Sequence, residues 1–288
     1  LLQGGVQMLG KLFKYDMKAL ARPCAPIAAA VVVVAALAAV GGYVGYSAAA
    51  ASYSARSTFF ETAIVPMAFF VMAMGMLTLC MAPVAVLIVS IYRFYKNLFT
   101  DEGYLTHTLP ARPSQIVLAK TLSGFLFLLA VTVLAGFGLQ LVSSAAEGFL
   151  PSGLRSSVPY WILSFLGGDM FMETGFPSLV IGAFKLMVDA LFWLLVAYAA
   201  FALGSTLAAR HKVAASIGLC LLFMWLYGLL SGIFSVSILS WASYSSGVVD
   251  YGAVSMLLSL LSWIVSLAVS AGCYALCVHL AGRKLNLP

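Results

Sequence analysis

Residues 62–92 read TAIVPMAFFVMAMGMLTLCMAPVAVLIVSIY, thirty-one residues in a row without a charged side chain. As a helix rising about 1.5 Å per residue, the run is about 46 Å long. A bilayer core of about 30 Å needs only about 20 apolar residues. The segment therefore predicts a membrane span that tilts, kinks or projects beyond the hydrocarbon, with Pro66 and Pro83 as candidate kinks. Working outward, charge is also missing from 23–55, 121–146, 190–209, 213–249 and 251–282. That makes six spans. The apolar runs are continuous and do not alternate, which predicts a helical bundle over a β-barrel.

Composition agrees. Hydrophobic residues make up 63% and charged residues 8% of the 288, against about 25% charged in soluble globular chains, and the mean hydropathy is +1.07. Such a length leaves no room for a second large soluble domain. The first seven residues, LLQGGVQ, precede Met8 and are expected to be an upstream or expression-derived extension (1–7), leaving 8–288 as one transmembrane domain. No cleavable signal peptide is visible.

Lys and Arg placement predicts orientation. Lys11, Lys14, Lys18 and Arg22 precede the first span; Arg93, Lys96, Arg112 and Lys120 fall in the second connection; Arg210 and Lys212 in the fourth; Arg283 and Lys284 after the sixth. If the spans alternate, these all share one side, which is then cytoplasmic, with both termini inside. The net charge of +6 reflects that topology, so no nucleic-acid partner is expected.

Residues 9–22 predict an amphipathic helix lying in the membrane interface ahead of the first span, its Lys and Arg on one face and Leu9, Leu12, Phe13, Met17 and Leu20 on the other. Asp16 interrupts the apolar face. Either it pairs with a neighbouring Lys or Arg, or it contacts a partner or the loop near Asp101.

Chemistry inside the spans is sparse. Gly5 to Lys11 spells the opening of a phosphate-binding loop, but Leu12 stands where Ser or Thr should hold magnesium and no strand precedes it. His107, His211 and His279 have no carboxylate or Cys at ligand spacing. The cysteines (24, 80, 220, 273 and 277) lie in or beside spans and read as small core residues. Lys185 and Asp189 border the fourth span, and the twenty residues that follow suffice to cross, so both are expected at the outer boundary. Gly41/Gly45 and Gly228/Gly232 offer small faces for close helix approach. The tail of the fifth run, IFSVSILSWASYSSG, is expected to form a re-entrant or interfacial hairpin, and VPYWILSFLGG in the third connection an interfacial helix.

The polar loop Arg93–Lys120, RFYKNLFTDEGYLTHTLPARPSQIVLAK, carries two adjacent carboxylates together with Tyr104, Leu105, His107 and Leu109. That surface is too apolar for a solvated linker and reads as a docking site for a soluble partner. The motif RFYKNLFTDEGYLTHTLP after a long second span resembles permease subunits of ABC-2-type exporters, in the bacterial subgroup with a separate ATP-binding protein. MLGKLFKYDMKAL, ALGSTLAARHKVAASIG and LAGRKLNL agree with it. The family often has prominent outer helices between spans five and six, whereas here the longer outer connection joins spans three and four.

The resemblance implies a short cytoplasmic coupling helix comprising Asp101, Glu102, Gly103, Tyr104, Leu105, Thr106 and Leu109, and a connecting helix with Lys11, Phe13, Lys14, Asp16 and Lys18. It implies a transport subunit with no catalytic residue and no cofactor of its own, ATP and Mg2+ being bound by the partner. It further implies an ATP-binding subunit and a second permease as partners, in the bacterial cytoplasmic membrane. Thr100 can cap a helix beginning at Asp101, whose carboxylates suit the positive end of its dipole. An apolar pathway favours an amphipathic or hydrophobic cargo. The alternatives are a non-transporting immunity or sensor protein and, third, a membrane enzyme.

Overall fold

A computed structural model of the chain describes residues 2–52, 59–99, 113–146, 176–207, 212–245 and 251–283. Each range is one helix: α1 (Leu2–Ser52), α2 (Phe59–Phe99), α3 (Pro113–Ala146), α4 (Phe176–Leu207), α5 (Lys212–Ser245) and α6 (Tyr251–Arg283). All six contain a stretch long and apolar enough to cross a membrane. The described chain is an all-helical, membrane-embedded protein. Backbone polar groups in hydrocarbon must be satisfied internally, and helices do this within each segment.

All the helices but α5 run longer than the uncharged stretches. The basic stretch 9–22 is not a separate element: α1 passes through Pro23 and Pro26 without interruption. Within it Lys11, Lys14, Lys18 and Arg22 are exposed, Leu12, Phe13 and Met17 half-buried and Leu20 buried. Likewise α2 continues through Pro66 and Pro83. The expected hairpin in IFSVSILSWASYSSG is corrected: the segment is helical as far as Ser245, its Gly, Ser and Trp costing little beside the continuous backbone ladder that a membrane demands. The third connection is shorter than expected, because α4 already begins at Phe176; VPYWILSFLGG lies outside the described residues.

Contacts gather into two compact units. One takes the described residues of 18–89 and 126–165. Here α1 and α2 approach closely at Gly41 and Gly45, where an added Cβ would lie 3.1 Å from the Ala68 carbonyl oxygen and 3.2 Å from its Cβ, respectively. Tyr46 and Phe69 meet edge to face beside them, 5.1 Å between centroids. Between helices in lipid no hydrophobic force remains, so small residues that bring backbones together carry the packing. At the second pair, Gly228 and Gly232, an added Cβ would meet nothing within 4 Å among the described residues.

The other unit takes the described residues of 1–17, 90–125 and 166–288. Its centre is α4, which packs on both α5 and α6. In the most apolar window of α4, 61% of residues are buried, against 6% in α5, so α4 is the core and α5 faces outward. The reason is in the sequence: Leu194, Ala197, Tyr198, Ala199, Ala200 and Ala202 are all buried, and their mostly small side chains admit neighbours on every side. At Gly204 an added Cβ would lie 2.6 Å from the backbone nitrogen of Ser216. An aromatic group (Phe184, Phe192, Tyr227 and Trp263) joins α4 to α5 and α6, and the Tyr227 and Ser266 hydroxyls are 2.9 Å apart.

Candidate functional site: a charged cluster at the stems of residues 100–112

Within the α4-centred unit, six helix ends meet. Asp16 of α1 contacts Lys120 of α3, Phe94 of α2 stacks on Tyr198 of α4, and the Tyr274 hydroxyl of α6 donates to the Ser114 carbonyl of α3 at 3.2 Å. Gly204 of α4 adjoins Ser216 of α5. These contacts put the start of α1, the end of α2, the start of α3, the end of α4, the start of α5 and the end of α6 on one face. Of the basic residues counted above, Lys11, Lys14, Arg93, Lys96, Lys120, Lys212 and Arg283 belong to those ends; Arg112, Arg210 and Lys284 lie outside the described residues. We call this the loop face.

Asp16 and Lys120 are its chemical centre. The ammonium Nζ lies 3.4 Å from Oδ1 of Asp16 and donates to it. The Lys120 side chain keeps 9% of its surface and that of Asp16 keeps 22%. A buried ammonium is tolerated only with a partner, and Asp16 supplies it. Beneath the pair, Phe94 and Tyr198 are stacked at 4.0 Å with 6° between planes. Tyr198 in turn fits against Gly124, where an added Cβ would stand 2.7 Å from the phenol oxygen.

Two expectations change here. Asp16 does not pair with a neighbour in its own helix; its partner is 104 residues away. Lys120 is not a loop charge; it sits two turns inside α3, on a buried face with Ile116, Val117 and Ala119. Pro113 at the first helical position was the available signal, because its fixed φ suits a helix start. The loop ends at that proline, and Lys120 lies about 10 Å further along the helix axis. Tyr198 gave less warning: in AYAAFALG it reads as one more apolar residue.

Of the connecting-helix residues, Lys11, Lys14 and Lys18 are exposed, Phe13 is half-buried and only Asp16 enters the cluster. The proposed coupling residues Asp101, Glu102, Gly103, Tyr104, Leu105, Thr106 and Leu109 lie outside the described residues, as do His107 and His211. What is described are their stems: Arg93–Phe99 leading in and Pro113–Lys120 leading out, each held by the cluster. Lys185 and Asp189, one turn apart, are half-buried on α4. Cys24 and Cys277 are buried, Cys220 and Cys273 half-buried and Cys80 exposed. Among the described residues no three His, Cys, Asp or Glu side chains gather into a metal-binding group.

Comparison with protein-family models, with curated proteins and with solved structures finds no match to this chain.

Proposed function

We propose that this chain is the membrane-spanning subunit of an ATP-binding-cassette exporter. It moves an amphipathic or hydrophobic substrate across the bacterial cytoplasmic membrane with energy from a separate ATP-binding subunit. Both termini and residues 100–112 face the cytoplasm, and a second permease completes the pathway. The observation that carries the reading is the double anchoring of the 100–112 stems. Asp16–Lys120 fastens one stem to α1, and Phe94–Tyr198 fastens the other to α4. A push on residues 101–109 is thereby delivered to helices that cross the membrane, where a free linker would dissipate it. ATP binding would bias one of two arrangements of the spans through contacts that differ between them. The resemblance of RFYKNLFTDEGYLTHTLP to ABC-2 permeases supports the same assignment.

The test is at Tyr104 and Glu102. Truncating a buried aromatic anchor typically costs about 2 kcal/mol or more, about thirty-fold in affinity. Tyr104→Ala therefore weakens association with the ATP-binding subunit in a pull-down. Glu102→Ala, removing an exposed charge pair of about 0–1 kcal/mol, keeps association but lowers ATP hydrolysis by the reconstituted complex. Ser152→Ala, predicted to lie on the opposite side, changes neither. Parental binding and hydrolysis in both loop variants would remove residues 101–109 from the coupling role.

A further inference from the structure

A second feature of the α4-centred unit borders the charged cluster. Between α3, α4 and α6 runs an open groove of about 340 Å³. Its rim is formed by Leu118, Leu122 and Leu267, each 42% exposed, and its floor by Leu195 and Phe125, 3% and 8% exposed. Three hydroxyls border it, and none is free to donate into it. Thr121 bonds the Val117 carbonyl at 2.9 Å, Ser270 the Ser266 carbonyl at 2.7 Å and Tyr274 the Ser114 carbonyl at 3.2 Å. The last of these ties α6 to α3 on the side nearer the loop face. The lining residues all lie within Pro113–Val142, Ala183–Leu207 and Leu260–Gly282, each long and apolar enough to cross a membrane.

We propose that this groove is a binding site for one acyl chain of a bilayer phospholipid, lodged between the helices and not merely lying against them. Three properties select that occupant. All its lining residues belong to stretches apolar enough to cross a membrane, where the neighbouring medium is acyl chain. Its three hydroxyl protons are all donated to backbone carbonyls, so a carbonyl, phosphate or carboxylate entering it would find no donor and lose its hydration. Its volume is near the lower bound of about 300 Å³ for small-molecule sites, enough for a length of one chain and too small for a whole lipid. Transfer from bilayer to groove brings no hydrophobic gain. The chain is held because a gap would cost the lining its dispersion contacts, which a flexible alkyl chain restores.

The experiment uses the full chain in phosphatidylcholine–phosphatidylglycerol vesicles containing a trace of phospholipid with a diazirine in its acyl chain. After irradiation the labelled residues are mapped by mass spectrometry. The expected result is label on the floor residues Leu195 and Phe125, despite their burial, and none on Leu194, equally buried on another side of α4. Ala271→Trp, which fills the groove, removes the floor label and leaves that on exposed α5 residues Leu221 and Ile233 unchanged. Leu122→Phe partly fills the groove and serves if the larger substitution disturbs folding. Label confined to exposed residues, or floor label indifferent to both fillings, overturns the site. The result does not depend on an ATP-binding partner, so it stands or falls separately from the exporter reading.

Discussion

Replacing Asp16 by Asn keeps the shape of the side chain and strands the Lys120 ammonium. At 3.4 Å and an effective dielectric of about 20, the attraction removed is about 5 kcal/mol. Part of it is already offset by the cost of burying both ions. Breaking a buried pair from one side typically costs about 3–5 kcal/mol. Asp16 keeps 22% of its side-chain surface, so the low end applies, about 3 kcal/mol. At about 2–4 °C per kcal/mol for a chain this large, the apparent Tm falls by about 6–12 °C. Lys120→Met should cost far less, about 1 kcal/mol, because it removes the more deeply buried charge and leaves a carboxylate with access to water. The double variant should be more stable than Asp16→Asn alone. The assay is unfolding of the purified protein in one detergent, at a fixed scan rate, for all four members of the cycle. Equal losses in the two single variants, or a coupling under about 0.5 kcal/mol, would show that the pair is not the buried contact described.

Other outcomes follow from close approaches and from charge placement. Gly204→Ala, whose methyl would meet the Ser216 backbone at 2.6 Å, should destabilise by about 1–3 kcal/mol, whereas Gly218→Ala, with nothing within 4 Å, stays within about 0.5 kcal/mol in the same unfolding assay. Gly124→Ala should lose about 1–3 kcal/mol against the Tyr198 hydroxyl, and Tyr198→Phe in the same chain should recover part of it by deleting the clashing oxygen. In a background lacking the five cysteines, single cysteines at Ser54 and Ser152 should react with an impermeant maleimide from outside intact cells. Those at His107 and His211 should react only after lysis; labelling of the His107 site in intact cells would reverse the orientation.

The spans were legible because membrane helices announce themselves by what they lack: each described helix covers all or most of one uncharged run. Gly41/Gly45 was also readable as a close-approach face, while at Gly228/Gly232 an added Cβ would meet nothing within 4 Å among the described residues, since spacing cannot tell which side of a helix has a neighbour. Element ends were harder. A proline marks a break in water, but α1 and α2 pass through theirs, because a membrane penalises exposed backbone more than a lost hydrogen bond. The charged cluster was hidden for a different reason. Asp16 and Lys120 are 104 residues apart, and nothing local to either distinguishes a paired ion from a solvated one. Counting Lys120 as a loop charge missed its environment, two turns inside α3.

The central claim, that a separate ATPase drives this membrane subunit through residues 100–112, is tested most directly by purifying the tagged chain from its native membranes in mild detergent and identifying what accompanies it. The account predicts an ATP-binding-cassette subunit in stoichiometric amount, vanadate-sensitive ATP hydrolysis by the complex, and loss of that subunit from the Tyr104→Ala preparation while the chain itself remains folded. A chain that purifies without any ATP-binding subunit, or keeps one equally well after Tyr104→Ala, would contradict it.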